Sequence, residues 1–135
     1  MTGVVVLLAA LAVAAGLALV LRVVNGRFRA RSDADVLTAD DLGGALGERA
    51  TLVHFSSAFC APCRATRSVL TDVAGRVDGV RVVEVDAEAH LELVRRLDVM
   101  RTPTVLVLDA RGTIVRRGSG LPRRDQVLAA LAPVV

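Results

Sequence analysis

The sequence predicts an α/β fold of three layers, α/β/α, with a mixed central sheet of about four strands, preceded by one N-terminal transmembrane helix. Three observations predict it. Met1 to Leu21 carries no charged side chain. From residue 38 onward the segments follow the order α-β-α-β-α-β-β-α. Crossovers followed by a hairpin and a helix put parallel and antiparallel strands in one sheet with helices on both faces. The central strand segments are near-continuous runs of Val and Leu, as expected when both faces are covered.

The apolar run comes first. As a helix, its 21 residues span roughly 31 Å at ~1.5 Å each, about one bilayer core. Residues 1–24 therefore read as a membrane anchor. A removed signal peptide competes with that reading. Such a peptide carries a basic start, and Met1-Thr2-Gly3 offers only the terminal amine. Arg22, Asn25, Arg27 and Arg29 stand where a small-residue cleavage site belongs, and no cysteine is there for a lipoprotein signal. A buried globular helix is the third reading. Residues 25–37 read as a basic, polar linker, and 38–135 as one folded domain.

The net charge of +3 is unevenly placed. Arg22, Arg27, Arg29 and Arg31 precede the first carboxylate, Asp33, and the remaining 13 arginines face 14 carboxylates. That distribution argues against a nucleic-acid surface. It fits a juxtamembrane cluster in contact with anionic lipid, and the positive-inside rule then puts the domain in the cytoplasm. An extracytoplasmic domain is the alternative.

Within the domain, Thr38-Ala39-Asp40-Asp41-Leu42 reads as a capped helix start, with the helix ending near Gly47. Ala50 to Ser56 reads as a buried strand. Cys60 to about Val77 reads as a helix with Leu70, Val73 and Val77 on one face. Gly79 to Asp86 is the second strand, and Ala89 to Leu97 a helix in which Leu91, Val94 and Leu97 are apolar. Pro103 to Leu108 and Thr113 to Arg117 are strands joined by the turn Ala110-Arg111-Gly112. Arg124 to Leu131 closes the domain as a helix.

The chemistry is concentrated in Phe59-Cys60-Ala61-Pro62-Cys63, which holds both cysteines of the chain. Two cysteines at this spacing, between a strand and a helix, suit reversible dithiol–disulfide exchange. Cys60 then sits at a helix N-terminus, where free N–H groups and the helix dipole favour its thiolate. Pro62 fits the first turn, where its missing N–H costs nothing. A static structural disulfide would close only a tiny loop and stabilise little. A metal-handling module, with Cu or Zn on the same two thiolates, is an alternative from a different class. A membrane adaptor with an idle dithiol is another.

The chain resembles the thioredoxin family. Leu52-Val53-His54-Phe55, Phe59-Cys60-Ala61-Pro62-Cys63-Arg64, Val85-Asp86, Arg101-Thr102-Pro103-Thr104, Gly112 and Gly118-Gly120 carry the resemblance, in register over residues 38–135. It implies a thioredoxin-like protein-disulfide reductase. Cys60 is then the nucleophile, Cys63 the resolving thiol, and Cys60–Cys63 the redox disulfide. Pro103 is expected in cis beside it, with the Thr102 backbone offering hydrogen bonds to an extended substrate. The implied partners are protein disulfides and a thiol electron donor, with no metal, flavin or nucleotide cofactor. The Ala-Pro pair between the cysteines is close to the reducing Gly-Pro type, so the potential is expected nearer about −270 mV than about −120 mV.

Three positions depart from the family pattern. Phe59 replaces the usual Trp and is expected to keep an aromatic cover. Ala61 replaces Gly. His54 stands where the family has a buried acid, and Val82 where it has that acid's lysine. His54 in its neutral form is the candidate proton acceptor for Cys63. The alternative is a core imidazole hydrogen-bonded to backbone.

Overall fold

In a computed structural model, which describes residues 1–30 and 35–135, the longest element is an isolated helix, α1 (Thr2–Val24), with no buried residue. It is long and apolar enough to cross a membrane, a test that an N-terminal signal sequence also passes. Arg31 and Asp33 lie outside the described residues, as does the middle of the expected linker.

The chain does not run free after the helix. Phe28–Ala30 forms a short strand, β1, and the remaining elements follow as α2 (Ala39–Leu42), β2 (Ala50–Ser56), α3 (Ala61–Ala74), β3 (Val80–Asp86), α4 (Leu91–Arg96), β4 (Thr104–Asp109), β5 (Ile114–Ser119) and α5 (Arg124–Leu131). Among the described residues, the sheet has five strands in the order β1-β5-β4-β2-β3. The count is thus one more than the four expected. Among these strands β2 and β3 pair in parallel, and the other described neighbours are antiparallel.

Side chains alternate across β2, so Val53 and Phe55 enter one core with Leu37, Leu97, Leu106 and Leu108. Ala50 and Leu52 enter the other, with Leu70, Val73, Val105, Val107, Val127 and Leu131 from α3, β4 and α5. His54 falls on that second face. Three helices, α2, α3 and α4, are shorter than expected, with α3 ending at Ala74 instead of near Val77. Thr38 and Asp41 form a reciprocal capping box, but Gly43 at φ 66° ends α2 after Leu42. In α4 the buried residue is Leu93, while Leu91 is exposed, because this short helix touches the sheet with the opposite side of its first turn.

Candidate active site

β2 ends at Ser56, and a short loop carries the chain into α3 with Cys60 as its N-cap residue. The Cys63 N–H donates to the Cys60 carbonyl at 3.2 Å, and the Thr66 hydroxyl donates to the Pro62 carbonyl at 2.9 Å. Cys60 and Cys63 are joined by a disulfide with Cα atoms 5.2 Å apart. Their environments differ: Cys60 is half-buried and Cys63 only 2% exposed. A cleft of about 460 Å³ opens beside the pair, walled by Ser57, Arg64, Arg67 and Glu84.

The Thr102–Pro103 peptide bond is cis. Pro103 is buried, and its carbonyl accepts from the Gly120 N–H at 2.8 Å. Ser57 and Thr102 share a hydroxyl–hydroxyl hydrogen bond of 3.1 Å, which ties the loop before Cys60 to the loop before β4. Among the described residues, none hydrogen-bonds to the Thr102 backbone.

Phe59 departs from expectation. It is 99% exposed and covers nothing. Its neighbours Ser57 and Ala58 are too small to hold a ring against the loop, so the aromatic projects beside Cys60 instead of shielding it.

His54 is fully buried, and neither ring nitrogen has a hydrogen-bond partner among the described residues. The expectation of a backbone partner is therefore not met. Burial holds the imidazole pKa below its usual 6.5, with the nearby Glu84 charge opposing and Arg67 reinforcing that shift.

A polar cluster on the same face was not foreseen from sequence. Glu84 lies beside His54 in the parallel register of β2 and β3. Its carboxylate accepts from Arg67 Nε at 2.6 Å and Nη2 at 2.5 Å, and from the Ser56 hydroxyl at 2.7 Å. The Arg67 fork and then the Ser56 bond hold the Glu84 pKa down at about 2, against some desolvation. Arg67 follows Cys63 by one helical turn, so the pair sets a fixed charge arrangement along one wall of the cleft. The signal available in sequence was weak: an acid at a strand position whose neighbours point into a core.

The thioredoxin family model matches residues 36–132. The chain belongs to the thioredoxin family. It is 32% identical over 90 residues to the thioredoxin of Alicyclobacillus acidocaldarius, covering 66% of this chain and 85% of that one. It is 32% identical over 85 residues to the thioredoxin of Mycobacterium tuberculosis, covering 62% and 72%. Among solved structures, a mutant thioredoxin from Halobacterium salinarum superposes with a TM-score of 0.59 at 21% identity, over 64% of this chain and 75% of that one. Thioredoxin-2 of the malaria parasite superposes with a TM-score of 0.61 at 14% identity, over 76% and 96%. These two likenesses concern the fold. Family membership together with the Cys60–Cys63 pair makes this protein a thiol–disulfide oxidoreductase whose substrates are protein disulfides.

Proposed function

We propose that the chain is a membrane-tethered reductase of protein disulfides. The observation that carries this reading is the asymmetry of the cysteine pair, with Cys60 reachable at a helix N-terminus beside a cleft and Cys63 buried behind it. In the reduced protein the Cys60 thiolate attacks a substrate disulfide. A bond forms between Cys60 Sγ and one substrate sulfur, and the other substrate sulfur leaves as a thiolate. Cys63 loses its proton and attacks Cys60 Sγ. The Cys60–Cys63 disulfide forms, and the second substrate sulfur leaves reduced. Two electrons pass from the dithiol to the substrate, and an external thiol donor restores the dithiol. The Thr102 backbone beside Pro103 is placed to pair with an extended substrate strand, and the exposed Phe59 offers it an apolar contact. The Ala-Pro pair favours the reducing direction. A purified-protein potential near about −270 mV is expected, and one above about −180 mV would exclude a reductase.

His54 takes the role of proton acceptor for Cys63, through water. It lies on the sheet face that α3 covers, is neutral at neutral pH because burial lowers its pKa, and has acceptor capacity that no described residue uses. His54→Ala is expected to slow resolution of the mixed disulfide roughly tenfold between about pH 6 and 8 and leave the first attack unchanged. Equal resolution rates across that range would remove His54 from the mechanism. The same group predicts a stability profile. With its folded pKa below 6.5, the unfolded chain binds the extra proton first, so the contribution is complete above pH 6.5 and is lost as pH falls toward the folded value. Acid unfolding of His54→Leu is expected to lack this slope.

The tether reading rests on α1 and the arginines that follow it. The charge asymmetry favours a cytoplasmic domain. A membrane-impermeant maleimide is then expected to label Cys60 after mild reduction only in lysed cells. Labelling of intact cells would put the dithiol outside.

A further inference from the structure

Where α1 meets the sheet, a second cleft of about 580 Å³ is lined by Arg27, Arg29, Arg101 and Arg117, with Val24 and Asp98. Among the described lining residues, four guanidinium groups accompany one carboxylate. Arg29 and Arg117 are directly opposed across the antiparallel β1–β5 pair, and like charges at such positions repel. Arg27 shares their face by alternation along the chain.

Two of the four are held in place from behind. The Arg117 guanidinium donates to the carbonyls of Leu97, at 2.5 Å, and Asp98. Arg101 donates to Asn25 Oδ1 at 3.3 Å, linking the end of α1 to the loop before β4. Arg27 and Arg29 make no ion pair or side-chain hydrogen bond with any described residue. The cleft thus joins a fixed half to an adaptable half, and among the described residues Arg27, Arg29 and Arg101 have no ion-pair partner in it. Guanidinium forks match the oxygens of a phosphate better than any other common anion of this environment. The position matters as much as the chemistry. Val24 ends the apolar helix, so the cleft stands where lipid phosphates lie once the helix is in a bilayer.

The geometry points to a binding site for a phosphate-bearing anionic group, occupied by the phosphodiester of an anionic phospholipid. The lipid source rests on the anchor reading above. An occupied site fixes how the redox domain stands on the bilayer. Because Arg101 immediately precedes Thr102–Pro103, it also steadies the chain entering the substrate-docking loop.

The test uses the full chain in detergent micelles, with its arginine side chains followed by NMR. Short-chain phosphatidylglycerol, short-chain phosphatidylcholine and inorganic phosphate are titrated separately. Phosphatidylglycerol is expected to move the Arg29, Arg101 and Arg117 Nε–H signals at concentrations where phosphatidylcholine does not. The double variant Arg29→Ala, Arg101→Ala is expected to bind it roughly tenfold more weakly. The pair Arg29→Lys, Arg101→Lys keeps the charge, loses the forks and is expected to fall between, which guards against a folding artefact. Inorganic phosphate acting as strongly as phosphatidylglycerol supports the phosphate site and assigns it to a soluble anion. Equal responses to both lipids, or unchanged binding by both double variants, overturn it. Alkaline carbonate extraction of cell membranes reads the anchor separately. Release of the chain would sink the anchor while the titration still judges the cleft, and retention without a phosphatidylglycerol response would sink the cleft alone.

Discussion

Cys60→Ser is expected to abolish reduction of insulin disulfides by roughly a thousandfold or more, and Cys63→Ser to turn the protein into a trap for its substrates. A serine hydroxyl does not ionise near neutral pH, so the first variant loses its nucleophile. Cys63 does not replace it, because it is only 2% exposed and sits behind the half-buried Cys60. In the second variant the first attack proceeds, but nothing expels Cys60 from the mixed disulfide. Covalent adducts should accumulate on non-reducing gels and disappear with dithiothreitol. Adducts formed by Cys60→Ser and not by Cys63→Ser would reverse the two roles. Turnover by either variant at the parent rate would remove exchange chemistry from the site.

Gly112→Ala is expected to destabilise the fold by about 3 kcal/mol, read as a shift in denaturant midpoint of the full chain in detergent. Gly112 adopts φ +87°, where an L side chain is strained, and a Cβ there would stand 2.1 Å from the Leu37 carbonyl oxygen. That neighbour is backbone and has little freedom to retreat. The Leu37 N–H donates to the Gly112 carbonyl at 2.9 Å, and Val36 bridges Thr113 beside it. Moving the segment would therefore break the contact that straps the chain before α2 across the β4–β5 hairpin. Gly43→Ala is the internal comparison. It has φ +66° with nothing within 4 Å of its Cβ position, so only the backbone strain remains, about 1 kcal/mol. Equal costs at the two glycines would show that the strap adds nothing.

Legibility in the sequence followed the range of the forces involved. β2 was readable from Ala50 to Ser56 because it is buried along its whole length, which writes the compact apolar stretch Leu52-Val53 and Phe55 into a short segment whose polar members, Thr51, His54 and Ser56, are buried with it. The capping-box partners Thr38 and Asp41 are three positions apart, and the cysteines at the mouth of α3 are likewise three apart. Each is a local pattern. β1 was not readable. Phe28, Arg29 and Ala30 are too few for alternation to identify a strand, and their strand state comes from pairing with Gly118, Arg117 and Arg116, far along the chain. The Glu84–Arg67–Ser56 cluster was hidden for the same reason. It forms only when β3 lies beside β2 in one register and α3 packs across both. The exposure of Phe59 reflects the small residues around it, which a comparison of residue types at one position does not weigh.

A different consequence follows from how little chain separates α1 from β1. Only Asn25, Gly26 and Arg27 lie between Val24 and Phe28, and the Gly26 N–H is already bonded to the Ser119 carbonyl at 2.7 Å. Three extended residues reach at most roughly 10 Å, whereas a free coil over residues 25–37 would let the domain roam some ~20 Å in any direction. With the helix in a bilayer, the dithiol is carried on a stiff bracket at a set height above the lipid. Such a mount raises the local concentration of the thiol only for disulfides presented at that height, and offers no gain to those further out. On the proposed membrane-tethered reading, the dithiol is thereby a gauge as well as an exchanger of disulfides, selecting its clients by where their sulfur atoms stand above the membrane.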